Sequence, residues 1–155
     1  MSDEVGPIGS ANIGAASAIF DGRGRVLLVR HTYGHLNWEI PGGVALPAEE
    51  PSRAAQRELD EETGLVLPAG TLSGVYYEPG HDFGPMVHFV FRHPAGEGLA
   101  PRANPPEIGD VGWFALNELP APMSDFTETR IRDALASGVA YRLISERIWR
   151  QEPDR

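Results

Sequence analysis

Residues 43–65 read GVALPAEEPSRAAQRELDEETGL, and the chain is best understood outward from the helix this stretch encodes. Pro51 suits the first position of a helix and Gly64 the position just past its end, which predicts a helix over Pro51–Thr63. No Ser or Asp precedes it as a cap. Glu49 and Glu50 favour the positive end of the helix dipole, although Glu is not a preferred N-cap residue. At about 100° per residue, Glu58, Glu61 and Glu62 share one face, beside the apolar side marked by Ala55 and Leu59. Like charges so spaced repel by a few tenths of a kcal/mol per pair on an exposed helix. A divalent cation offsets that repulsion, because Mg²⁺ takes carboxylate oxygens, keeps waters and grips substrate phosphates. Arg57 and Glu49 carry opposite charges that can tie the preceding loop to the helix. Gly42 and Gly43 allow close approach of the backbone, and a carbonyl there can add an oxygen ligand.

Upstream, Gly14–Phe20 and Arg25–Arg30 are β-prone runs around Asp21-Gly22-Arg23-Gly24, the pattern of a hairpin. Trp38-Glu39-Ile40 reads as a strand ending in a tight Pro41-Gly42-Gly43 loop. Downstream, Thr71–Tyr77 and Met86–Phe91 read as strands joined by the loop Glu78–Pro85. Residues Pro94–Pro106 read as a mobile connection, Val111–Leu116 as a strand and Glu128–Ala136 as a helix. The stretch Val139–Trp149 is apolar enough to pack without declaring its type. The expected organisation is a tail over residues 1–12, one domain over 13–150 and a short tail over 151–155.

Composition narrows the chemistry. The chain has 155 residues, a formal net charge of -9, no cysteine and thirteen positive residues, all arginine. Absence of cysteine removes disulfides, thiolate zinc sites and cysteine nucleophiles. The acidic balance argues against nucleic-acid partners, which need a basic face. No apolar run approaches a membrane span, and Met1–Asn12 lacks the basic start of a signal peptide, so a cytoplasmic protein is expected.

The stretch from Gly43 satisfies G-x5-E-x7-R-E-U-x-E-E-x-G-U, with U a large aliphatic residue, at all nine specified positions. Chance agreement at a given start is on the order of one in a billion. This resembles the Nudix box, and Trp38-Glu39-Ile40-Pro41-Gly42, Gly112-Trp113-Phe114 and Glu118-Leu119-Pro120 are similar to other features of the Nudix hydrolase family. The resemblance implies an α/β fold of the α+β type, a mixed β-sheet between helices. It also implies divalent-metal binding by the box, and a small-molecule substrate in which a nucleoside diphosphate is joined to another group. Glu61 and Glu62 would be the principal ligands of Mg²⁺ or Mn²⁺, joined by Glu58 and the Gly42 carbonyl. Gly43, Glu49, Arg57 and Gly64 would shape the box. Leu46 and Ala48 stand where that pattern often has an acidic residue and a glycine.

The expected chemistry is in-line attack of water at phosphorus, with a carboxylate as general base. Glu58 is the first candidate, Glu107 its rival and Glu78 a third. Arg30, His31, Tyr33 and His35 lie on or just after a strand leading to the Gly-Gly loop, and are expected to contact substrate. Trp38 and Trp113 read as core, and His81, His88 and His93 form no ligand pattern. The favoured substrate is ADP-ribose or another nucleoside diphosphate sugar. The alternatives are a housecleaning nucleoside triphosphate pyrophosphohydrolase and a non-catalytic nucleotide-binding domain. An isomerase on the same fold would call for the cysteine that is missing. The apolar segment Val139–Trp149 offers a surface for a second copy of the chain, as a homodimer.

Overall fold

The computed structural model describes residues 6–153, so part of the expected N-terminal tail, residues 1–5, lies outside the described residues, as do 154–155 of the C-terminal one. The strands are β1 (Asn12–Asp21), β2 (Val26–His31), β3 (Trp38–Glu39), β4 (Gly42–Val44), β5 (Thr71–Glu78), β6 (Met86–Gly96), β7 (Ile108–Phe114), β8 (Met123–Ser124), β9 (Ala140–Leu143) and β10 (Trp149–Arg150), with helices α1 (Pro51–Thr63) and α2 (Asp125–Leu135). The main sheet runs β3-β2-β1-β6-β5-β9, with β4 added to β1 and β7 to β2. It is mixed: β1 runs parallel to β6 and β5 to β9, while the other pairs are antiparallel.

Strand alternation on β1 decides the layering, because successive side chains point to opposite faces. Ala15 packs with Ala54 and Ala55 of α1 and with Phe91. Ala16, Ala18 and Phe20 face the other way, into a core with Trp38, Ile40, Tyr76, Val90 and the α2 residues Phe126, Ile131 and Ala134. The sheet therefore lies between two helices, as the family resemblance implies. Ile19 and Leu27 meet Leu59 and Leu65 at the end of α1. Trp38 is buried in the α2-side core, and Trp113, partly buried, packs against the cluster of Ile19, Leu27, Leu59 and Leu65.

The β1–β2 hairpin turns where Asp21 accepts hydrogen bonds from the Arg23 and Arg25 amides, the local bonding that makes Asp a turn former. Helix α1 has the predicted bounds, and Glu50 serves as its N-cap after all, accepting from the Ser52 amide at 2.9 Å. Gly64, at φ 74°, ends it in the left-handed conformation that glycine adopts without a steric penalty.

Three expectations are corrected. Gly42 and Gly43 do not form a loop but pair in register with Ala16 and Ala15 as β4. A Cβ on Gly42 would lie 2.5 Å from the Ala15 carbonyl oxygen, so only glycine permits that pairing. Helix α2 starts at Asp125 rather than Glu128, because Ser124 caps it by accepting from the Thr127 amide. The connection read as mobile is partly strand, since β6 continues to Gly96. Further on it docks against α1: the Arg102 and Asn104 amides donate to the carbonyls of Thr63 and Glu62, and the Asn104 side chain donates to that of Glu61. These are helix-end carbonyls with no intrahelical partner. The undecided C-terminal stretch resolves into β9 and β10, with Tyr141 and Leu143 exposed on the outermost strand of the sheet. No helix among the described residues is long and apolar enough to cross a membrane.

Candidate functional site

The α1 carboxylates are held differently from one another. Glu62 is buried and its Oε1 accepts from the Gly42 amide at 2.7 Å, fastening the last turn of α1 to β4. Glu58, one turn earlier, packs against Gly43, where a Cβ would come within 2.6 Å of the carboxyl carbon. Glu61 lies at the rim, its side chain 57% exposed. Arg57 organises the surroundings. It makes a two-pronged ion pair with Glu49 at 2.8 and 2.9 Å and reaches Glu58 and Glu61 at 3.1 Å each. It also donates to the Val44 carbonyl at 3.3 Å. This joins the segment before α1 to the helix itself.

Electrostatics separate the acids. Burial, with Glu58, Glu39 and Glu107 nearby, pushes Glu62 up to about 9 despite the Gly42 hydrogen bond. Burial also raises Glu58, against the pull of Arg57. Arg57 and the Leu46 amide hold Glu49 down at about 2. Hydrogen bonding to Glu49 raises Arg57 further above its ordinary range, against burial.

The acids adjoin a cleft. Its inner cavity, of about 170 Å³, is lined by Gly42, Gly43, His31, Tyr33, Glu39, His81, His88, Arg130 and Arg147 among others. An outer cavity of about 510 Å³ shares His31, Tyr33, Glu39, His81 and Arg147, and adds His35, Asn37, Phe83 and Trp149. The His31 and Tyr33 rings stack at 4.8 Å with 9° between planes. His35 stacks on Trp149 at 3.8 Å. Burial lowers His31 and raises Tyr33, the latter also under the influence of Glu62, Glu107 and Glu58. Glu107, exposed just before β7, thus sits within the field of the site.

The structure brings together Gly42, Gly43, Glu58, Glu62, His31 and Tyr33, with Glu61 and Glu107 at the edge and His35 in the outer cavity. Arg30 is a correction. It lines neither cavity, its guanidinium donating instead to the Leu36 carbonyl and to Glu152. Strand alternation places it opposite His31. Glu78 is a second correction. It is buried rather than an exposed loop acid, and burial alone would raise it. His88 and both prongs of Arg147, at 2.8 to 2.9 Å, hold it at about 2. So committed a carboxylate makes a poor proton acceptor.

Sequence reasoning missed Glu39, Arg130, Arg147, His81 and His88. Glu39 accepts from Arg130 at 2.6 Å and from Thr127 at 2.9 Å. Partners 91 positions apart leave no spacing to read. A buried arginine against Phe126 on the inward face of α2 was the available signal, and it needed the correct helix start.

The description NUDIX domain matches residues 11–134 of this chain. A MutT-like protein of Streptomyces ambofaciens is 30% identical over 124 residues, 80% of this chain and 77% of its own length. A Bacillus subtilis protein named "Putative 8-oxo-dGTP diphosphatase" is 32% identical over 120 residues, 77% of each. Among solved structures, a MutT NUDIX hydrolase from Burkholderia pseudomallei superposes with a TM-score of 0.70 at 29% identity, covering 81% of this chain and 98% of that one. A match over that much of the sequence, with a two-helix mixed-sheet fold to go with it, makes this chain a member of the NUDIX family of hydrolases.

Proposed function

We propose that the chain hydrolyses a diphosphate linkage in a nucleoside diphosphate bearing a further group, with Mg²⁺ or Mn²⁺ held by the α1 carboxylates. The observation that carries this reading is Glu62: a buried carboxylate raised to about 9 by burial and by three other acids, with no cationic side chain on it among the described residues. An all-oxygen set of this kind fits a hard divalent cation. Among the described residues no three acidic or histidine side chains already form a metal cage. Glu61 therefore has to swing in from the rim, and its exposure leaves it room to do so.

Glu58, Glu61 and Glu62 would hold the cation, with the Gly42 carbonyl as a further ligand. When bound, it supplies charge neutralisation at the phosphoryl oxygens and acidifies water. The chain's own residues do the rest. Arg57 fixes the spacing of Glu58 and Glu61 and ties both to Glu49. Glu58 is the first candidate to accept the proton of the attacking water. Glu107 is the second candidate for that step. His31 and Tyr33 offer ring faces to the substrate, and the outer cavity has room for the group beyond the diphosphate.

A second reading has that group as phosphate, making the substrate a nucleoside triphosphate, and the name of the Bacillus subtilis relative favours it. The test is turnover of nucleoside diphosphate sugars, triphosphates and dinucleoside polyphosphates with Mg²⁺ or Mn²⁺, for wild type and Glu62→Gln. Metal-dependent cleavage lost in the variant supports the proposal. A folded wild type that turns over none of them overturns it and leaves a nucleotide-binding domain.

A further inference from the structure

The inner cavity that touches Gly42 and Gly43 is also lined by two arginines that the proposed hydrolysis does not use. Arg130 is 5% exposed and sits over Phe126, its guanidinium carbon 4.0 Å from the ring centroid. Glu39 and Thr127 engage only Nη2, and the buried Nε has no hydrogen-bond partner. Arg147 lies over the same ring at 4.9 Å, its Nε and Nη2 given to Glu78. Both line the inner cavity. Buried Nε is closed to a ligand, so the donors this wall can offer are Nη1 of Arg130 and Nη1 of Arg147, neither of which makes a hydrogen bond among the described residues.

The acceptor's chemistry follows from charge. Each guanidinium is already matched by a carboxylate, Arg130 by Glu39 and Arg147 by Glu78. What the wall has to spare is donor direction rather than net positive charge. That suits a neutral carbonyl or ring nitrogen better than another phosphate. The stacked His31 and Tyr33 rings give the same cavity an aromatic surface, and a planar base is the part of a nucleotide that uses one. Arginine donors match the carbonyl and ring-nitrogen edge of guanine, whereas adenine presents an amine donor at the corresponding place. Donor facing donor leaves both unpaired.

We infer that Arg130 and Arg147 select the base of the substrate, favouring a purine with a ring carbonyl, guanine or hypoxanthine, over adenine. The inference rests on the proposed nucleotide substrate and names its base. ADP-ribose then becomes a poor substrate, and a guanosine-containing one takes its place.

The test is calorimetric binding of guanosine, inosine and adenosine 5′-monophosphates without metal, which does not depend on hydrolysis. Wild type should bind the first two at least about fivefold tighter than the third. Arg147→Met should bring that ratio close to one. Arg130→Lys keeps the charge opposite Glu39 but removes the planar fork, and should reduce the ratio if circular dichroism shows it folded; Arg147→Met decides if it is not. Equal or tighter binding of the adenosine compound, selectivity unchanged in Arg147→Met, or no binding by any of the three at millimolar concentration overturns the inference. Failure of hydrolysis alongside selective binding would sink the enzymatic proposal and leave this one standing.

Discussion

The Gly42 amide and the Glu62 carboxylate, twenty residues apart, meet at 2.7 Å, so the strand before α1 and the last turn of α1 are joined through a group that also faces Glu58, Glu39 and Glu107. That one hydrogen bond lowers the pKa of the carboxyl far less than burial and three neighbouring charges raise it.

This makes stability depend on pH in a definite direction. Glu62 is protonated more readily in the folded chain, so its favourable contribution is complete below the ordinary 4.5 and is lost as pH rises toward about 9. Metal-free protein should lose roughly 1–3 kcal/mol between pH 5 and pH 9 from this group. Glu62→Gln should flatten that dependence and remove the rise in melting temperature that Mg²⁺ or Mn²⁺ gives the wild type. Thermal melts across pH, with and without metal, measure both; a wild type indifferent to pH and metal contradicts the prediction.

Arg57 binds Glu49 with two parallel hydrogen bonds while touching Glu58 and Glu61. Lysine keeps the charge but not the fork. Arg57→Lys should therefore lower kcat by about 10²-fold, the scale on which small misplacements of reacting groups act. Steady-state kinetics on a cleaved substrate settle the point, and a kcat within twofold of wild type would count against a clamp.

The general base is separable by paired variants. Glu58→Gln should reduce kcat by about 10²–10⁴-fold while Glu107→Gln should cost less than tenfold. The reverse order would assign the proton to Glu107.

Ala48 adopts φ 61°, in the left-handed region that disfavours side chains. Ala48→Gly should relieve about 1 kcal/mol of strain and raise the melting temperature by about 2–4 °C. A lower melting temperature would show that the entropy of the unfolded glycine outweighs the strain.

Ala48 also shows what the sequence could and could not tell. Its position in the motif, where glycine is frequent, was visible, and the backbone angle explains why glycine is used there. Helix α1 was legible to the residue because Pro51 and Gly64 mark both ends and the carboxylate spacing is local. The same periodicity put Glu61 with Glu58 and Glu62 but could not tell a rim position from a buried one, since that depends on where β4 lies. The Gly-Gly pair reads as a loop in sequence because its strand partner, Ala15 and Ala16, is distant along the chain. Arg30 adjoins His31 in sequence but turns to Leu36 and Glu152, because adjacent strand residues face opposite ways. The arginine wall of the cleft was invisible: Arg130 meets Glu39, and Arg147 meets Glu78, only after the sheet has assembled.

That wall has a consequence for how such a protein diversifies. The acids that would hold the cation lie within residues 58–62, whereas the arginines that line the inner cavity come from α2 and the segment before β10. If Arg130 and Arg147 select the base, that preference is written in a later stretch than the metal-binding acids. A lineage can rewrite the later stretch, and acquire a new diet, while inheriting its cutting tool unaltered.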